Sequence, residues 1–187
     1  MNAFHAALPE VLLLEPTVHR DTRGWFMESY VKEQMRSLGI DVDFVQDNHS
    51  SSQHRGTLRG LHFQNEPMAQ SKLVRCTRGS VLDVIVDIRK DSPTFRRGVS
   101  LELTATNLRQ VFIPKGFAHG YVTLENDTEV QYKVDKYYSK ENERGIRYND
   151  PDLGIAWVVE RPVLSDKDAQ APLLKDSDCN LHFGKGR

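Results

Sequence analysis

With 187 residues, 39% of them hydrophobic and 27% charged, the chain suffices for one domain with a sizeable core and is too apolar for a disordered one. Its formal net charge of −1 offers no global field to nucleic acid or an anionic membrane. The two cysteines, Cys76 and Cys179, lack CxxC spacing, so they suggest neither a zinc site nor a disulfide framework and fit a reducing cytoplasm.

In chain order, the first apolar run is Val11 to Leu14, four residues against the roughly 20 that span a bilayer. The N-terminus also lacks the basic, apolar, small-residue order of a secretory signal. A cytoplasmic protein without membrane contact is expected. Val31 to Leu38 (VKEQMRSL) has the composition of one short helix, ended by Gly39. Leu73 to Thr77 has strand character, Arg78-Gly79-Ser80 forms a turn, and Val81 to Asp87 follows as a β-branched run. Val99 to Thr104 alternates apolar and polar residues, as a half-buried strand does. Gln110 to Ile113, Gly120 to Leu124 and Glu129 to Val134 suggest further strands, separated by Pro114-Lys115-Gly116 and Glu125-Asn126-Asp127. No repeat, low-complexity tract or linker divides the chain, so residues 1–187 are expected to form a single domain. Short strands at intervals of about ten residues predict a mainly β fold, an antiparallel sandwich or barrel with a few short helices.

Two segments carry polar residues that structure alone explains poorly. In Arg59-Gly60-Leu61-His62-Phe63-Gln64, strand alternation puts 60, 62 and 64 on one face and 59, 61 and 63 on the other. Gly60 would leave room beside His62 for a close ligand, and Lys72 opens the next apolar strand. Local sequence equally allows a hydrogen-bonded core histidine with Arg59 and Lys72 solvated. The second segment is Pro114-Lys115-Gly116-Phe117-Ala118-His119-Gly120. Its Pro-x-Gly-x-x-His spacing resembles the second motif of the cupin superfamily. Metal-binding cupins add an HxH pair and a downstream glutamate. Here His62 stands alone, followed by Phe63 and Gln64, so no metal is expected and both histidines are read as proton-transfer or hydrogen-bonding groups.

An ordered set of motifs then becomes specific. Asp21-Thr22-Arg23-Gly24-Trp25-Phe26-Met27-Glu28, Val45-Gln46-Asp47-Asn48-His49-Ser50, Leu58 to Gln64, Lys72-Leu73-Val74-Arg75, Ser92-Pro93-Thr94-Phe95 and Ile113 to Gly120 resemble the successive motifs of the dTDP-4-dehydrorhamnose 3,5-epimerase family. Tyr132-Lys133, Asn149-Asp150-Pro151 and Leu164-Ser165-Asp166-Lys167-Asp168 continue the match, which covers about residues 10 to 175. Phe95-Arg96-Arg97-Gly98-Val99 departs from it, lacking the usual Gly-x-Trp after Thr-Phe.

The resemblance implies a cupin-type jelly roll that needs neither cofactor nor metal. It also implies a dTDP-linked 4-keto-6-deoxy sugar as substrate, inverted at C3 and C5 beside the C4 ketone. By the same resemblance His62 is the base, Asp168 its carboxylate partner, Lys72 the cation at the C4 oxygen and Tyr132 the acid on the opposite face. His119 becomes a substrate contact, and Arg23 and Arg59 bind the diphosphate. Glu28, Gln46, Asp47, Asn48 and Glu143 meet the nucleoside, Lys167 is a further ligand contact, and Tyr138 stacks on thymine, with Phe26 taking part. The family's homodimers exchange N-terminal strands, so Arg23, Phe26 and Glu28 would complete a partner's site. From the residues alone, Arg23 reads as a turn arginine, while a packed aromatic at Tyr132 and a cap or turn residue at Asp168 are the alternatives to their roles. A single-centre epimerase and a catalytically silent nucleotide-binding cupin are the competing readings.

Overall fold

The computed structural model describes residues 1–184. Its strands are β1 (Asn2–His5), β2 (Leu12–Glu15), β3 (Val18–Asp21), β4 (Gly24–Met27), β5 (Gln46–Ser52), β6 (Leu58–Gln64), β7 (Lys72–Arg78), β8 (Ser80–Asp87), β9 (Gly98–Thr104), β10 (Gln110–Ile113), β11 (Phe117–Thr123), β12 (Thr128–Val134) and β13 (Glu143–Gly145). Helices are few and short: α1 (Lys32–Ser37), α2 (Asp166–Ala169) and a 3-10 turn at Leu174–Asp176. One sheet has the order β1-β2-β10-β7-β12-β5, the other β13-β6-β11-β8-β9, and β3-β4 forms a separate hairpin. All these pairings are antiparallel, as expected of a jelly-roll sandwich.

Alternation sorts side chains into three apolar layers. Val74, Cys76, Val111, Ile113 and Val130 from the first sheet meet Val81, Ile85, Leu103, Phe117 and Tyr121 from the second. The alternate residues of the second sheet point the other way. Leu61, Phe63, Val84, Val86 and Ala118 are covered by Ile146, Leu153, Leu174 and Leu181 from the C-terminal part of the chain. Outside the first sheet, Met35 of α1 and Ile40 lie on Leu12, Leu14, Leu73 and Phe112. Burying Met35 there contributes about 2 kcal/mol. The helix stops where Gly39 takes a φ of +84°.

The structure moves two sets of expected boundaries and one register. β11 begins at Phe117 rather than Gly120, because Phe117 and Ala118 already alternate into the two apolar layers. β7 and β8 extend to Arg78 and from Ser80, leaving Gly79 alone at the bend with a φ of +73°. The third change bears on the site. β6 pairs His62 with His119 but Arg59 with Tyr121, so one extra residue bulges from β6 between them. The slip turns Arg59 and His62 to the same side, where simple alternation had put them on opposite faces. The space at Gly60 is likewise not open to a ligand. A Cβ there would lie 2.6 Å from Gly120 Cα, so the two glycines let β6 and β11 approach. Among the described residues, no helix is long and apolar enough to cross a membrane.

Candidate active site

The cleft lies between the sheets, toward the side where β5 and β13 form their edges. The first sheet contributes Gln46 and Asn48 from β5, Lys72 from β7 and Tyr132 from β12; the second contributes Arg59 and His62 from β6, His119 from β11 and Glu143 from β13. Two adjoining cavities of about 300 and 490 Å³ share His62, Lys72, Tyr132 and Glu143 in their walls.

His62 Nε2 lies 2.6 Å from Asp168 Oδ1. The histidine side chain is 31% exposed and the carboxylate 6%. Asp168 is held by α2, where its backbone N–H donates to the capping Ser165 Oγ at 3.1 Å. Burial pushes the Asp168 pKa up, but hydrogen bonds and charge from His62, with help from Ser165 and the Gly60 backbone, hold it below the ordinary carboxylate value. An ionised carboxylate only accepts hydrogen bonds. Nε2 therefore carries the imidazole proton, and the Nδ1 lone pair is left to receive another.

Three further groups share the cleft. Lys72 is 8% exposed; burial brings its pKa down to about 8, against the fields of Asp83 and Glu143. It is a cation almost free of water, which strengthens its attraction for a nearby oxyanion. Tyr132 has its pKa raised, chiefly by burial and against the field of Arg59, so its phenol stays protonated at neutral pH. His119 is buried, its Nε2 2.8 Å from Asp83 Oδ2; burial lowers its pKa despite that partner, and the imidazole stays neutral. Together these groups form a base with a fixed tautomer, a cation and a phenol on one cavity, the elements of proton transfer beside a carbonyl.

The profile of the family described as dTDP-4-dehydrorhamnose 3,5-epimerase matches residues 5–176. The chain belongs to this family. It is 53% identical to the dTDP-4-dehydrorhamnose 3,5-epimerase of Salmonella typhimurium, covering 93% of this chain and 96% of that one. It is 50% identical to that of Shigella flexneri, covering 95% and 98%. The solved dTDP-6-deoxy-D-glucose-3,5-epimerase of Legionella pneumophila, in complex with dTDP-4-keto-L-rhamnose, superposes with a TM-score of 0.91 at 45% identity, covering 95% and 94%.

Measured against the epimerase family's pattern, the structure gathers most of the expected residues and leaves four outside. At the mouth, Glu143 organises its neighbours: Tyr138 Oη donates to it at 2.8 Å and Lys167 Nζ at 2.5 Å. The Tyr138 backbone N–H donates to Gln46 Oε1 at 3.1 Å, and Gln46 Nε2 to Asn48 Oδ1 at 2.9 Å. Arg59 donates to Ser52 Oγ and the Ser51 carbonyl and lines the second cavity. Asp47 is not brought in. It occupies the alternate face of β5 from Gln46 and Asn48 and accepts from Lys133 Nζ at 2.8 Å. Arg23, Phe26 and Glu28 belong to the β3–β4 hairpin and its exit, with Arg23 bonded to Asp21 and Phe26 65% exposed. Arg23 and Phe26 line a separate hollow with Trp25.

Sequence reasoning missed Asp83, Tyr121 and Ser165. Asp83 had a visible signal, a carboxylate within the β-branched run Val81–Asp87. Tyr121, whose hydroxyl lies 2.8 Å from Ser50 Oγ, and Ser165 were recognisable only once strand register and the α2 cap were known. Among the described residues, no group of three or more His, Cys, Asp or Glu is placed to hold a metal ion.

Proposed function

We propose that this protein converts dTDP-4-dehydro-6-deoxy-D-glucose to dTDP-4-dehydro-L-rhamnose, inverting C3 and C5. His62 takes the proton on the carbon beside the C4 ketone. The C–H electron pair becomes the new C=C bond, and the carbonyl pair moves to O4. The Lys72 ammonium donates to the resulting enolate oxygen, Tyr132 delivers a proton to the opposite face of the carbon, and the ketone re-forms. Imidazolium and phenolate then exchange protons with water before the second centre reacts. Asp168 supports the imidazolium when it forms. The observation that carries the reading is the approach of the His62–Asp168 pair from one sheet and of Lys72 and Tyr132 from the other onto one cavity.

The nucleotide reading uses Arg59 for the diphosphate, with a guanidinium fork suited to phosphate oxygens, and Tyr138 as the stacking surface for the base. Gln46, Asn48, Glu143 and Lys167 surround that end, and His119 contacts the sugar. Arg23, Phe26 and Glu28 enter through a homodimer in which the β3–β4 arm crosses to the partner's cleft. The exposure of Trp25 and Phe26, at 51% and 65%, supports an arm that is covered in an assembly. A reducing cytoplasm suits the free, buried Cys76 and Cys179.

Incubation of the 4-keto sugar nucleotide in deuterated water tests the reaction. Both C3 and C5 should take up deuterium as the rhamno product appears. Uptake at one carbon only would reduce the activity to a single epimerase, and uptake at neither would remove it.

A further inference from the structure

β8 turns two carboxylates toward the interior, on the face of Val81 and Ile85. Asp87 is saturated by donors from Arg89, Ser92 and Thr94. Asp83 is not. Its side chain is 0% exposed. Oδ2 pairs with His119 Nε2, while Oδ1 has no hydrogen-bond partner among the described residues. A carboxylate wholly removed from water with one bare oxygen is costly unless a positive charge faces it. Lys72, on the opposing sheet and itself nearly buried, is that charge, and Asp83 acts on it more strongly than Glu143 does.

We propose that Asp83 is a positioning residue for the epimerisation: its charge keeps the Lys72 ammonium protonated for the enolate oxygen, and its Oδ2 fixes His119 with the proton on Nε2 and an acceptor on Nδ1. The other ionisable groups lining the cavities with Lys72 are Arg59 and His62 on β6, His119 and Tyr121 on β11, Tyr132 on β12, Tyr138, Glu143 on β13, and Lys167 and Asp168 on α2, the last engaged by His62. Glu143 is the second anion, but its two oxygens already serve Tyr138 and Lys167. Asp83 therefore carries the electrostatic support of Lys72. A protonated Lys72 is the active form, so activity is lost as pH rises through its pKa of about 8. Removing the Asp83 charge moves that loss to lower pH.

The role rests on the function proposed above for Lys72, and the experiment separates the two. Asp83→Asn keeps the size and an oxygen acceptor for His119 while deleting the charge. In kcat/KM profiles its alkaline limb should shift down by about one pH unit, a roughly fivefold loss at pH 8, with affinity for dTDP unchanged. In a Lys72→Arg background, whose guanidinium does not titrate, Asp83→Asn should produce no such shift. Asp83→Ser is read in the same way should the asparagine variant fail to fold. An unmoved limb in the folded variants, or a shift that persists beside Lys72→Arg, overturns the proposal. Failure of the Lys72 role itself would show separately, as Lys72→Ala turning over at the parent rate.

Discussion

Asp168 illustrates how a functional side chain can be far from its partner in sequence and in contact in space. It stands 106 residues after His62, and nothing local to Ser165-Asp166-Lys167-Asp168 distinguishes a catalytic carboxylate from a helix cap. The structure separates the two roles: Ser165 is the cap, and Asp168, whose N–H the cap accepts, turns its carboxylate to His62. Asp168→Asn is expected to lower kcat by on the order of 10²-fold or more, because an amide can stabilise the wrong tautomer and gives the imidazolium no counter-charge; steady-state kinetics with KM recorded separately checks it. The same pairing acts on stability. A folded-state pKa held below its unfolded value stabilises the fold above the unfolded pKa, and this support is lost as pH falls through the folded one. Acid denaturation of Asp168→Asn should therefore lack this part of the pH dependence. His62, Lys72 and Tyr132 were identifiable through their motifs, but their convergence was not, because it depends on how two sheets face one another.

Val99–Thr104 was marked by its apolar alternation and Gln110–Ile113 by a short apolar run between turn signals, and both are strands. β5 shows the opposite case. Gln46–Ser52 reads QDNHSSS, with little strand propensity, and is a strand because it pairs along β12 from Gln46 opposite Val134 to Ser52 opposite Thr128. The bulge in β6 was equally hidden, since register is set by the partner strand and not by β6 itself. Gly60 is where that bulge meets β11. An alanine there would combine a φ of +124° with a 2.6 Å approach to the Gly120 backbone, so neither strain nor contact can be relieved by a side-chain rotation. Gly60→Ala should cost about 3 kcal/mol or more in chemical denaturation, with activity falling as Arg59 and His62 lose their common direction.

The sandwich places His62 and Tyr132, the proposed base and acid, on different sheets, which is the simplest way to address two faces of one sugar ring. It leaves the β3–β4 arm outside both sheets, and the resemblance gave that arm a use that the single chain cannot provide. If the arm crosses, Arg23→Ala and His62→Ala variants should complement one another. A hybrid dimer holds one site with His62 intact and the arm donated by the other chain. Equal mixtures of co-expressed variants should then recover about a quarter of parental activity, half the dimers being hybrid and half their sites complete. Recovery of nothing, with each variant dimeric and folded, would place Arg23 in its own chain's site, and full activity of Arg23→Ala by itself would place it in none.

Opposed proton transfer is what the two-sheet arrangement ultimately requires, and deuterium labelling of Tyr132→Phe beside His62→Ala reads it directly. With the phenol gone and the base kept, C3 and C5 should exchange their protons for deuterium from the His62 side while the configuration is retained; with the base gone, neither exchange nor inversion should occur, although dTDP still binds. Inversion by Tyr132→Phe at the parental rate, or continued exchange in His62→Ala, would contradict the arrangement.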